Sequence, residues 1–168
     1  MSKIVFDLGH GGKDSGAVGN GLKEKDLVLE IGKYIKDMIS EYNCEYLFTR
    51  LNDSFLTLND RVTLSNNFKS DIFVSVHINS STNNQARGIE TYCYNKNTNN
   101  GIAETIHNSL LSNKNLYAKD RGIKESNFTV IAKTTAKACL LELGFISNSE
   151  DAKLLKKYLK EYAKAIVN

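Results

Sequence analysis

Proline is absent from all 168 residues, and neither a Pro-rich linker nor an internal repeat divides the chain. With that length, the expectation is one domain over residues 1–168. Cysteine is scarce: Cys44, Cys93 and Cys139 stand far apart, each in an apolar, strand-like stretch. An odd, unclustered set excludes a disulfide framework and a cysteine zinc site, and leaves buried reduced thiols. No apolar run approaches the roughly 18 residues of a membrane span. Only Met-Ser-Lys precedes Ile4-Val5-Phe6-Asp7, so neither a signal peptide nor membrane insertion is expected. No block of like charge marks a nucleic-acid tail, and Lys and Arg are scattered among acids. The formal charge of +3 suits an acidic polymer without requiring one.

What is present is ordinary globular material, 41% apolar and 24% charged. A chain of this length buries a sizeable core without metals or disulfides. A metal in it would therefore serve chemistry rather than folding. Short β-rich runs alternate with amphipathic stretches. Strands are expected at 3–8, 45–49, 71–77, 88–94, 128–132 and 138–143. Helices are expected at 25–40, at 58–68 with Thr57 as N-cap, at 102–111, and as one long helix over 148–167. That last helix would open on a Ser147/Glu150 capping box and bury Leu154, Leu155, Tyr158, Leu159, Tyr162 and Ile166. The asparagine-rich residues 95–100 read as a polar surface loop. The alternation predicts an α/β fold: a twisted, mostly parallel mixed sheet of about six strands with helices on both faces.

Histidine is also rare, and two of the three sit at strand ends. His10 follows the first strand in Asp7-Leu8-Gly9-His10-Gly11-Gly12, and His77 ends the third in Val74-Ser75-Val76-His77-Ile78-Asn79. Ligands collect beyond the carboxyl ends of strands in open α/β sheets, so the two can converge. Catalytic zinc takes three protein ligands and keeps a fourth position open. A carboxylate must then join the histidines, and Glu24, Asp14 and Asp26 compete for that role. Glu142, inside apolar Leu140-Leu141-Glu142-Leu143, needs a reason to be there, and a general base is one. His107, within a helical pattern, reads as surface or packing.

These segments together resemble the zinc-dependent N-acetylmuramoyl-L-alanine amidases of the Amidase_3 type. The resemblance runs in order through residues 7–17 and 21–26, Thr49-Arg50, 58–62 and Ser75-Val76-His77-Ile78-Asn79. It continues through 88–92, Asp120-Arg121-Gly122-Ile123-Lys124 and 141–148, and so spans essentially the whole chain. It implies His10, Glu24 and His77 as ligands of Zn2+ and Glu142 as the catalytic glutamate. It implies hydrolysis of the amide between N-acetylmuramic acid and L-alanine in peptidoglycan, with zinc-bound water as nucleophile and Glu142 as general base and acid. Asn79 and Glu90 are candidates for substrate contact or for structural roles. Where family members often carry a proline, Lys137 or its neighbours stand here, which implies a local loop difference with the chemistry intact.

The partner implied is peptidoglycan, acted on by a monomer, with no nucleic acid and no membrane insertion. Without a signal peptide, the chain is expected to be made in the cytoplasm and to reach the wall after release, as a phage endolysin does. The alternative is an isolated catalytic domain of an exported protein. A zinc carboxypeptidase, a deacetylase of wall sugars or a wall-binding module without turnover are the rival readings.

Overall fold

The computed structural model describes residues 1–168, apart from the side chains of residues 96–100. Its elements are β1 (Ser2–Leu8), β2 (Val18–Gly19), β3 (Leu22–Lys23), α1 (Glu24–Ile39), β4 (Cys44–Phe48), α2 (Leu58–Phe68) and β5 (Ile72–Asn79). They continue as β6 (Ile89–Cys93), α3 (Lys96–Ser112), β7 (Asp120–Glu125), α4 (Thr129–Lys133), β8 (Lys137–Phe145), α5 (Ser149–Lys157) and α6 (Leu159–Val167). The main sheet has six strands in the order β4-β1-β5-β8-β6-β7. Every neighbouring pair is parallel except β6 and β8. This is the mixed α/β sheet the alternating pattern implied.

Strand side chains alternate between faces, and that alternation positions the site. Phe6 and Leu8, Val74 and Val76, and Cys139, Leu141 and Leu143 enter the larger core with α1, α3 and α6. Val5, Phe73, Ala138 and Leu140 point the other way, into a smaller core with α2 and α4. By the same parity Asp7, Ser75, His77, Glu142 and Glu90 belong to this second face.

Four expectations are corrected. Residues 128–132 form the short helix α4 rather than a strand, because a short apolar run carries too few residues to separate the two periods. β7 is a strand that the pattern hid: an edge position, half-buried over residues 121–124 and exposed at both ends, imposes no apolar alternation on Asp120-Arg121-Gly122-Ile123-Lys124. The closing helix is two helices, broken at Tyr158 (φ −120°, ψ 31°). Of its expected stripe Leu155, Tyr162 and Ile166 are buried, while Leu154, Tyr158 and Leu159 are only half-buried. Its N-cap is Asn148, accepting from the N–H of Glu150 (3.0 Å) and Asp151 (3.1 Å), whereas Ser147 Oγ accepts from the Ser81 N–H. α3 begins at Lys96, inside the stretch read as a loop.

α2 spans its expected residues, with a capping box between Thr57 and Asp60. Among the described residues the cysteines form no disulfide, and Cys93 and Cys139 are buried. Among the described residues no helix is long and apolar enough to cross a membrane.

Candidate metal centre

His10 sits in a turn that only glycines can flank. Its own φ is +59°, and Gly11 (+125°) and Gly12 (+57°) follow with positive φ, a region costly for side chains bearing Cβ. Asp14 Oδ2 lies 2.8 Å from His10 Nδ1 and fixes the ring, while Asp14 Oδ1 accepts from the Gly16 N–H at 3.0 Å. Two further glycines clear space for the cluster. A Cβ on Gly9 would collide with the His77 ring, and one on Gly16 would lie 2.6 Å from Glu24 Oε2.

Glu24 is the first residue of α1, where the helix N-terminus favours a negative charge. Its Oε2 accepts from the Ala17 N–H (2.8 Å) and its Oε1 from the Ile78 N–H (2.9 Å). Oε1 also stands 3.0 Å from His10 Nε2 and 3.0 Å from His77 Nδ1, and those two nitrogens are 3.2 Å apart. Among the described residues these three form the group able to hold a metal ion. Asp14 and Asp26, the competing carboxylates, fall elsewhere: Asp14 behind His10, Asp26 in an exposed position.

The electrostatics follow from this packing. Burial pushes Glu24 upward, but hydrogen bonds and charge from His10 and His77 outweigh it and hold the carboxyl well below its usual range. Burial alone would lower His10, yet Glu24 and then Asp14 raise it to about 8. His77 is likewise raised by Glu24 against the effect of burial.

Glu142 pairs with His77 in the β5–β8 register and shares its cavity. The cavity measures about 480 Å³ and is lined by His10, Glu24, His77, Glu142, Leu58 and Phe128 among others. Glu142 Oε2 is buried and meets no hydrogen-bond partner among the described residues. Burial, with Glu24 and Glu90 adding negative charge against the opposing pull of the histidines, raises its pKa to about 7.

Residues that sequence reasoning left unassigned hold this site from below. Arg50 donates to the carbonyls of Leu8 (2.9 Å) and Gly9 (2.7 Å), and Arg61 to those of Leu8 (2.6 Å) and His10 (2.9 Å). Arg61 also pairs with buried Asp7 at 2.8 Å. The available signal was Asp7 itself, an acid within an apolar strand. Glu90 is buried and tied to Tyr92, Arg121 and Lys124. Asn79 Nδ2 lies 3.5 Å from Glu90. His107 takes the packing role, buried between Thr91 Oγ1 (2.9 Å) and Asp120 Oδ1 (3.0 Å).

Two histidines and a glutamate at hydrogen-bond separation, beside a buried carboxylate at the strand ends of an α/β sheet, offer a donor set of the kind that could hold a metal ion in a hydrolase. Residues 4–168 match the family model Amidase_3, N-acetylmuramoyl-L-alanine amidase, and the chain belongs to that family of peptidoglycan amidases. It is 42% identical to the YqiI protein of Bacillus subtilis (strain 168), over 98% of this chain and 81% of that protein. It is 43% identical to the endolysin of Bacillus phage SPP1, over 94% of this chain and 60% of the endolysin. The fold superposes on N-acetylmuramoyl-L-alanine amidase AmiC2 of Nostoc punctiforme with a TM-score of 0.94 at 35% identity, covering 99% of this chain and 93% of that one.

Proposed function

We propose that residues 1–168 form the catalytic domain of a zinc-dependent amidase that cuts the bond between the lactyl group of N-acetylmuramic acid and L-alanine. The observation that carries this reading is the donor triangle of His10, Glu24 and His77 with an unpartnered Glu142 beside it. The triangle's edges of 3.0, 3.0 and 3.2 Å are near the roughly 3.4 Å edge of a tetrahedron with metal–ligand bonds of about 2.1 Å. Asp14 on the far nitrogen of His10 supplies the carboxylate support that metal-ligating histidines need. The residues therefore fit the ion.

His10, Glu24 and His77 would hold the zinc, which when bound would supply Lewis acidity and water activation near neutral pH. Glu142 takes a proton from the attacking water and passes it to the departing nitrogen of L-alanine. Burial raises the Glu142 carboxyl above its ordinary range in the metal-free protein, which favours its holding and returning a proton. Leu58 and Phe128 in the cavity wall offer apolar surface beside the position of the scissile amide.

The molecule acts as a monomer on peptidoglycan, without nucleic acid or membrane insertion. A lysin that reaches the wall after release from the cytoplasm is the favoured setting, and the likeness to the SPP1 endolysin supports it. The test is digestion of purified peptidoglycan with and without a chelator, followed by mass analysis. Free stem peptides beginning with L-alanine, lost on chelation and restored by zinc, are expected. Glycan fragments, or cuts within the stem, would assign another bond.

A further inference from the structure

Arg121 and Lys124 come from a motif that the catalytic chemistry leaves unused, yet the sheet carries them to within two strands of Glu142. On one face the registers run His77 to Glu142, then Glu142 to Glu90, then Tyr92 to Lys124. A metal-site donor, the proposed base, a buried carboxylate and a cation thus stand in sequence across β5, β8, β6 and β7.

Glu90 is only 3% exposed. Its Oε2 accepts from Tyr92 Oη–H at 2.5 Å, and its Oε1 faces Lys124 Nζ at 3.0 Å and Arg121 Nε. One cation would balance one buried carboxylate, and here two face Glu90. Both remain open to solvent, with side chains 30% and 41% exposed. The guanidinium of Arg121 is held against the Phe145 ring at 4.9 Å, which fixes the plane of its fork for a carboxylate.

A chain of side-chain contacts links the cavity wall to these cations. Phe128 lines the cavity, its ring meets Tyr92 edge-on at 5.1 Å, and Lys124 Nζ lies 5.9 Å from the Tyr92 ring centre. With strands about 4.8 Å apart, β7 stands about 10 Å from β8. Along an extended peptide, carboxylates on the second and third residues lie about 7 and 11 Å from the scissile carbonyl.

We propose that Arg121 and Lys124 receive a carboxylate carried by the second or third residue of the leaving peptide, and that the enzyme therefore prefers stem peptides unamidated there. This rests on the amidase reading. The test compares N-acetylmuramoyl-L-alanyl peptides that carry a free carboxylate at the next residues with the same peptides as primary amides. Wild-type protein should favour the carboxylate about tenfold in kcat/KM, mainly through KM. Lys124→Gln, which leaves Glu90 paired with Arg121, should erase the preference, and Lys124→Arg should restore it. Equal cleavage of both substrates by the wild type, or an equal loss on both in Lys124→Gln, would overturn the proposal and leave the amidase reading standing. Cleavage of neither by the wild type would overturn that reading and this one with it.

Discussion

Two clusters of buried charge lie on the same face of the sheet, and they differ in how completely their polar atoms are satisfied. Around Asp7 every oxygen is occupied. Oδ1 accepts from Thr49 (2.9 Å) and Arg61 (2.8 Å), and Oδ2 accepts from Ser75 (2.6 Å). Arg61 gives its other hydrogen bonds to the backbone that carries His10, and Arg50 bonds that backbone as well as the carbonyls of Lys25 and Asn52. Around Glu142 an oxygen meets no partner among the described residues, and the neighbouring histidine nitrogens crowd Oε1 of Glu24. A satisfied network rigidifies, and an unsatisfied group is costly unless something else uses it. The first cluster is a support, and the second retains capacity for an ion, a water and a substrate.

The contrast breaks most visibly at Glu142. Glu142→Gln is expected to lower turnover by about 10²–10⁴-fold while leaving the fold intact, as measured by peptidoglycan digestion alongside thermal unfolding. Undiminished turnover would return Glu142 to a structural role. The opposite result is expected at Arg61. Arg61→Ala strands the Asp7 charge and should destabilise the protein by about 3–5 kcal/mol, read from the urea midpoint. Stability close to wild type would mean that the support cluster is not one.

A smaller effect concerns pH in the metal-free protein. Glu142 is raised from 4.5 to about 7, so the folded state holds a proton that the unfolded state has released across that window. Stability should therefore fall as pH rises from about 4.5 to 7, by on the order of 3 kcal/mol relative to Glu142→Gln. A constant difference between the two proteins over that range would contradict the burial argument. The mildest change is Asp14→Asn, which loosens His10 without removing a ligand. It should weaken zinc binding about 10–100-fold, and unaltered affinity in a competition titration would deny Asp14 its orienting role.

Legibility in the sequence followed the same division. The strand ends bearing His10 and His77, the helix capped by Thr57 and the mixed sheet were readable because glycine turns and apolar periodicity are local signals. The choice of Glu24 over Asp14 and Asp26 was not, since it depends on the Gly16 turn folding against α1. β7 was hidden because an edge strand needs no apolar alternation, and α4 because a five-residue helix is shorter than the pattern that would reveal it. The support cluster escaped because its partners, such as Asp7 and Arg61, meet only through sheet and helix packing.

In the proposed mechanism one ion held by His10, Glu24 and His77 works with a base, Glu142, that does not hold it. Zinc content and turnover measured together on the wild type, His77→Ala and Glu142→Gln test this directly. One zinc per chain is expected in the wild type and in Glu142→Gln, little in His77→Ala, and turnover in the wild type alone. Full zinc in His77→Ala, or turnover in the wild type after complete chelation, would contradict it.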